Sequence, residues 1–171
     1  MSFVRKKQPW PRFAIKLTVL SACLAVGAVA FANRYRIGID SQIEKCIPGI
    51  TFYLVDLKDK ELKRDQIYSF SAKGLQPLFA DGTKMVKILK GMPNDTVQVD
   101  ESHAVLVNGR QVGKGLFLTR ELKQPASKFI GKSVLGENSY WFMGESDRSF
   151  DSRYWGVVKD EQIIGRAYPL F

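Results

Sequence analysis

Between Ala14 and Ala32 every residue except Lys16, Thr18 and Ser21 is apolar. A run of about 20 apolar residues is long enough to cross a bilayer as one helix, and a lysine near its start can snorkel its ammonium to the interface. Such a segment contributes nothing to a water-soluble core, so the fold has to be built from the residues C-terminal to it. The charge pattern divides the chain at the same place. Arg5, Lys6, Lys7, Arg12, Lys16, Arg34 and Arg36 occur in the first 36 residues without an acid, which accounts for 7 of the formal +9 and leaves +2 for residues 37–171. Basicity therefore belongs to one terminus, which argues against a nucleic-acid-binding body. Five of these basic residues come at or before the start of the run and two after it. That imbalance predicts a cytoplasmic basic N-terminus (1–13), a single-pass anchor (14–32) and an exported body (33–171), in a bacterial inner membrane with the body in the periplasm. A cleaved signal peptide is the competing possibility, because Ala30-Phe31-Ala32 offers a small-x-small site. The length of the apolar run favours the anchor.

The remaining 135 residues suffice for one domain with a real core. Short β-branched and aromatic runs separated by turn residues dominate them: 51–55, 66–70, 85–89, 96–99, 105–107, 116–119 and 140–143. Asn108-Gly109 joins two of these runs and predicts a type I′ hairpin turn. The expected fold is mostly β, an antiparallel domain following an N-terminal transmembrane helix, with a loop over 126–136.

Three clusters carry chemistry. The chain has two cysteines, and with Cys23 inside the apolar run and Cys46 14 residues beyond its end, a disulfide between them is not expected. Position alone favours an inert, buried Cys46 over a reactive thiol. In an oxidising compartment an unpaired thiol is at risk, an argument that Cys46 is either sheltered or kept for its chemistry. In the second cluster, Lys84 to Asp95, lysines three apart suit a solvated helical stripe. As a strand, however, its period of two puts Met85, Lys87 and Leu89 on one face and Lys84, Val86, Ile88 and Lys90 on the other. Lys87 then stands between apolar neighbours, and burial disfavours the ammonium, the condition a lysine needs to act as a base. The third cluster, Met143 to Gly156, alternates acids, arginines and short hydroxyls and suits a tight loop held by ion pairs and side-chain-to-backbone hydrogen bonds.

Taken together, the clusters resemble the Ser/Lys type I signal peptidases. Ser149-Phe150-Asp151-Ser152-Arg153-Tyr154-Trp155-Gly156, followed by Gly165-Arg166-Ala167, is similar to that family's last box, S-x-D-S-R-x-x-G then G-R-A. Arg64 to Phe70 resembles its R-G-D-I-V-x-F box, and Lys87 to Asp95 its K-R-x-x-G-x-P-G-D box. The likeness runs from about Cys46 to Ala167. It implies the family's membrane-surface β fold, Lys87 as general base and Cys46 as nucleophile in place of serine. Ser149 would aim the lysine, and Asp151, Ser152 and Arg153 would support it, with Asp151 and Arg153 pairing to hold the loop. Cys46-x-Pro48 is closer to the S-x-P of conjugative-transfer pilin peptidases of the TraF type than to the S-M-x-P of housekeeping members. The substrate implied is an exported precursor such as a pilin, cleaved or joined into a ring.

The departures are as informative. Glu44 occupies the place, two before the nucleophile, of an oxyanion-hole hydroxyl, and a carboxylate cannot donate to an oxyanion unless protonated. The hole would then rest on the Cys46 N–H and an unidentified donor. Ile88 replaces an arginine, Asn94 a glycine, and Gly144 to Ser149 is one residue short. These exchanges keep open a non-enzymatic alternative, a peptidase-fold scaffold for pilus or envelope assembly. The only histidine, His103, reads as a turn residue, and the sequence presents neither metal-ligand spacing nor a Gly-rich phosphate loop, so no metal or other cofactor is expected. Nothing in the sequence fixes an oligomeric state.

Overall fold

The computed structural model describes residues 9–42 and 44–171; the rest of the basic N-terminus expected over 1–13, residues 1–8, lies outside them. The chain divides into two units, residues up to Tyr35 and Arg36–Phe171. The first is essentially one helix, α1 (Trp10–Arg34), introduced by Pro9 and Pro11, residues suited to a helix start because their missing N–H has no partner there anyway. At 1.5 Å per residue its 25 residues span about 37 Å, enough to cross a hydrocarbon core of about 30 Å. None of its residues is buried, as a helix with an apolar perimeter requires if lipid is its solvent.

The second unit is mostly antiparallel β. Its strands are β1 (Tyr35–Ile39, entering from the first unit), β2 (Phe52–Asp56), β3 (Ile67–Ser71), β4 (Lys84–Gly91), β5 (Thr96–Val99), β6 (Ala104–Val107), β7 (Arg110–Lys114), β8 (Gly131–Val134), β9 (Ser139–Met143), β10 (Val158–Lys159) and β11 (Ile163–Pro169), with one helical turn, α2 (Ser152–Trp155). Seven strands form a sheet in the order β1-β2-β11-β3-β4-β9-β10, and four a second sheet in the order β7-β6-β5-β8. The expected β fold with one N-terminal apolar helix is therefore what the chain adopts.

β9 joins two of the core's three clusters. Its side chains alternate across the sheet: Trp141 and Met143 pack with Val97, Val99, Val105 and Val107 of the small sheet, while Tyr140 and Phe142 pack with Tyr68, Phe70 and Leu89 of the large one. All five of its residues are buried. Asn108 and Gly109 both have positive φ, 51° and 78°, as the type I′ turn between β6 and β7 demands.

Two expectations need correction. Residues 131–134, expected as loop, are β8, which runs beside β5 with all four residues exposed. An edge strand without a buried face has no alternation to betray it, and its backbone hydrogen bonds carry the pairing. Residues 116–119, expected as a strand, form turns: Leu116 enters the core, Phe117 stays exposed, and the Leu118 N–H donates to the Tyr154 hydroxyl at 3.1 Å. β11, visible in the sequence only as a motif, is a central strand. Gly165 lies where it bulges against β3, and any Cβ there would fall 2.1 Å from the Asp56 carbonyl oxygen.

Candidate active site

Lys87 is the fourth residue of β4. Its register partner on β3 is Tyr68, and Phe70 faces Met85, so Lys87 shares the strand face of Met85 and Leu89, whose side chains join the large sheet's aromatic cluster. The lysine is only 3% exposed. On the other face, Lys84 is exposed and Lys90 is drawn to Asp65 at 2.7 Å.

Cys46 lies between β1 and β2, in a segment anchored at both ends. The Asp40 N–H donates to the Thr51 carbonyl at 2.9 Å, and the Cys46 carbonyl accepts the N–H groups of Glu145 at 2.8 Å and Ser146 at 3.1 Å. The thiol is thereby tied to the loop that leaves β9. That loop returns through Ser149, 2% exposed, whose hydroxyl accepts a hydrogen bond from Lys87 Nζ at 3.0 Å. Lys87 Nζ is also hydrogen-bonded to Cys46 Sγ. One buried amine thus contacts a partly exposed thiol and a buried hydroxyl, three side chains from distant parts of the chain.

The residues after Ser149 hold this geometry. Asp151 and Arg153 form a bidentate pair, with Nε to Oδ1 and Nη2 to Oδ2 both at 2.8 Å, and both side chains are essentially buried. Arg153 also donates to the carbonyls of Gly115 at 3.0 Å and Ser149 at 3.2 Å, while Asp151 accepts the Gly144 N–H at 3.0 Å. Burial alone would lower the guanidinium's pKa, but the hydrogen bonds to Asp151 outweigh it and leave Arg153 above its ordinary value. Ser152 Oγ accepts the Phe142 N–H at 2.9 Å, fastening α2 to β9.

Three further residues, not singled out for the site from the sequence, belong to its immediate surroundings. Gly144 admits no side chain, since a Cβ would lie 2.3 Å from Ser149 Oγ and 2.7 Å from the Cys46 carbonyl oxygen. A glycine directly after the most apolar strand is the signal that could have found it. Tyr53 is buried nearby; burial, then the neighbouring Asp40, Cys46 and Glu145, push its phenol up to about 12, so it remains protonated at any pH where a thiol ordinarily ionises. The Gln42 carboxamide reaches the thiol itself, Cys46 Sγ lying 3.4 Å from Oε1. Glu44 by contrast is bound at the surface by Arg148 Nε at 2.8 Å, and Arg148 Nη2 holds Glu121 at 2.7 Å. His103 closes the turn between β5 and β6, its N–H donating to the Asp100 carbonyl at 2.9 Å.

Cys46 and Lys87 open onto a cleft of about 670 Å³, lined also by Tyr53, Val55, Met85 and Ile164. A neutral amine there can accept the thiol proton, and an extended chain can lie along the apolar walls. The chain belongs to the signal peptidase family, peptidase S26, whose model matches residues 11–171. It is 24% identical over 160 residues to a probable signal peptidase I-2 of Synechocystis, covering 91% of this chain and 71% of that one. It is 31% identical over 87 residues to the signal peptidase I of Leptolyngbya laminosa, 50% of this chain and 40% of that one. Among solved structures, a signal peptidase I from Enterococcus faecalis aligns with a TM-score of 0.40 at 23% identity, over 63% of this chain and 97% of that one. The function that membership carries is signal peptidase I-like, in a chain whose N-terminal helix is long and apolar enough to anchor it in a membrane.

Proposed function

We propose that the protein is a membrane-anchored endopeptidase that cuts exported precursors with Cys46 as nucleophile and Lys87 as general base. The observation that carries this is the single buried amine hydrogen-bonded at once to the thiol and to Ser149. Neutral Lys87 takes the proton of Cys46, and the thiolate attacks the carbonyl of a small residue at the end of the precursor's signal segment. The tetrahedral intermediate collapses, the lysinium gives its proton to the leaving amine, and a thioester remains on Cys46. Water then attacks, yielding its proton to Lys87, and the thiol is regenerated as the lysinium returns that proton; a ring forms instead where the carbonyl attacked lies near a pilin's C-terminus, the C-terminal tail leaves as the amine, and the pilin's own N-terminal amine takes the place of water. Ser149 aims the lysine, and Asp151, Ser152 and Arg153 keep Ser149 in place by fastening its loop to β9. A thiol ionises far more readily than a hydroxyl, so it needs less help from its base than serine would.

The substrate is an exported precursor such as a conjugative pilin; the Cys46-x-Pro48 spacing supports that choice over the general secretory load. The N-terminus is cytoplasmic and the body faces the periplasm, supported by the excess of basic residues before the helix. One experiment addresses chemistry and orientation together. In spheroplasts carrying a Cys23→Ser variant, so that Cys46 is the only thiol, a membrane-impermeant maleimide should stop precursor processing, and a precursor peptide should protect against it. Block by permeant reagent alone would contradict the orientation, and block by neither would contradict the thiol mechanism.

A further inference from the structure

A thioester mechanism needs a donor for the negative oxygen that appears when the thiol attacks, and Glu44 does not supply one. A carboxylate offers no N–H or O–H, and this one is engaged by Arg148 at the surface, 2.8 Å from its Nε. Resting on the mechanism proposed above, the geometry points to the Gln42 side-chain amide as the oxyanion donor, four residues before the nucleophile.

Gln42 is fixed from behind, its own N–H donating to Asp40 Oδ1 at 3.1 Å, while the Asp40 N–H is bonded to Thr51. Its carboxamide reaches forward to Cys46 Sγ, Oε1 lying 3.4 Å away, and both residues line the same cleft as Lys87. In the resting site the carboxamide oxygen accepts from the thiol. The amide nitrogen is bonded to the same carbon as that oxygen, and the terminal torsion of a glutamine is broad and nearly two-fold, so a half-turn presents an N–H where the oxygen was. Charge drives that turn: when Lys87 has taken the proton, the sulfur repels the oxygen and attracts the N–H. As the carbon–sulfur bond forms and the carbonyl π electrons move to oxygen, the oxyanion develops one carbon away from Sγ, within reach of the same N–H. Lys87 and Gln42 thus divide the work, the first moving the proton and the second neutralising the charge. Side-chain amides are established as donors of this kind, and losing one such donor costs about 100- to 1000-fold in kcat.

The test uses the full-length protein in detergent, with a precursor peptide as substrate. Gln42→Ala and Gln42→Glu should each lower kcat about 100- to 1000-fold with little change in KM, because the amide acts on the transition state and not on the bound peptide. Glu44→Ala, which removes a carboxylate at the cleft's rim held by Arg148 but takes away no N–H or O–H donor, should stay within about threefold of wild type. Iodoacetamide should alkylate Cys46 in Gln42→Ala at a rate within a few-fold of wild type, since the thiol and Lys87 remain in place. Processing by Gln42→Ala within threefold of wild type would overturn the assignment, as would a loss confined to KM or an equal loss in Glu44→Ala. Each of these failures leaves the thiol mechanism standing provided that Cys46→Ala is inactive; an active Cys46→Ala removes both.

Discussion

Arg153 and Asp151 show how much of the loop beside Lys87 is structural. Their charges are almost fully removed from water and answer each other through two 2.8 Å bonds, so neither tolerates the loss of its partner. Arg153→Met should destabilise the body by about 3–5 kcal/mol, the cost of leaving a buried charge unanswered. Asp151→Ala in the same chain should return part of that loss, a coupling that urea denaturation of the two single variants and the double variant would measure. Independent, additive effects of under 1 kcal/mol would mean the pair is idle. The sequence shows two opposite charges two residues apart, but it does not show their burial. Burial depends on the carbonyls of Ser149 and Gly115, and the Gly115 segment, expected to lead into a strand, is irregular backbone. Gln42 is illegible for a related reason: Gln42 and Cys46 both lie outside regular secondary structure, and no periodicity encodes the closeness of their side chains.

At the level of the strand, legibility is far better. The alternation of β4 alone separates Lys87 from Lys84 and Lys90, and the register with β3 puts Lys87 opposite Tyr68, in the face of Met85 and Leu89. Lys87→Met should therefore abolish processing, whereas Lys84→Met and Lys90→Met, changed on the opposite face, should keep most of it; initial rates on a precursor peptide decide the matter. Equal losses in all three would refute the role that the strand assigns. The same logic accounts for the strands that the pattern hides. β9 carries dense apolar and aromatic side chains because two core clusters use it, while β8 buries none of its four residues and β7 alternates weakly. Strands that contribute mainly hydrogen bonds are silent in a hydrophobic pattern.

For the whole molecule, membrane helix and β body have separate physical requirements, which is why the sequence divides so plainly between them. The helix has no buried residue and carries its basic residues near its ends, whereas the body has an interior that joins two sheets through β9 and gathers Cys46, Lys87 and Ser149 from segments 41 and 62 residues apart. Family membership accounts for the shared frame, within which the proposed mechanism gives Cys46 the part that serine takes in the family the sequence resembles. A covalent intermediate on that cysteine is the claim on which the rest depends. Mixing the full-length protein with a precursor, quenching in acid within the first turnover and mapping the digest by mass spectrometry should find the signal fragment joined through a thioester to the peptide containing Cys46, and Cys46→Ala should show neither the adduct nor cleavage. Cleavage at the wild-type rate by Cys46→Ala, or an acyl group carried by any other residue, would contradict the account.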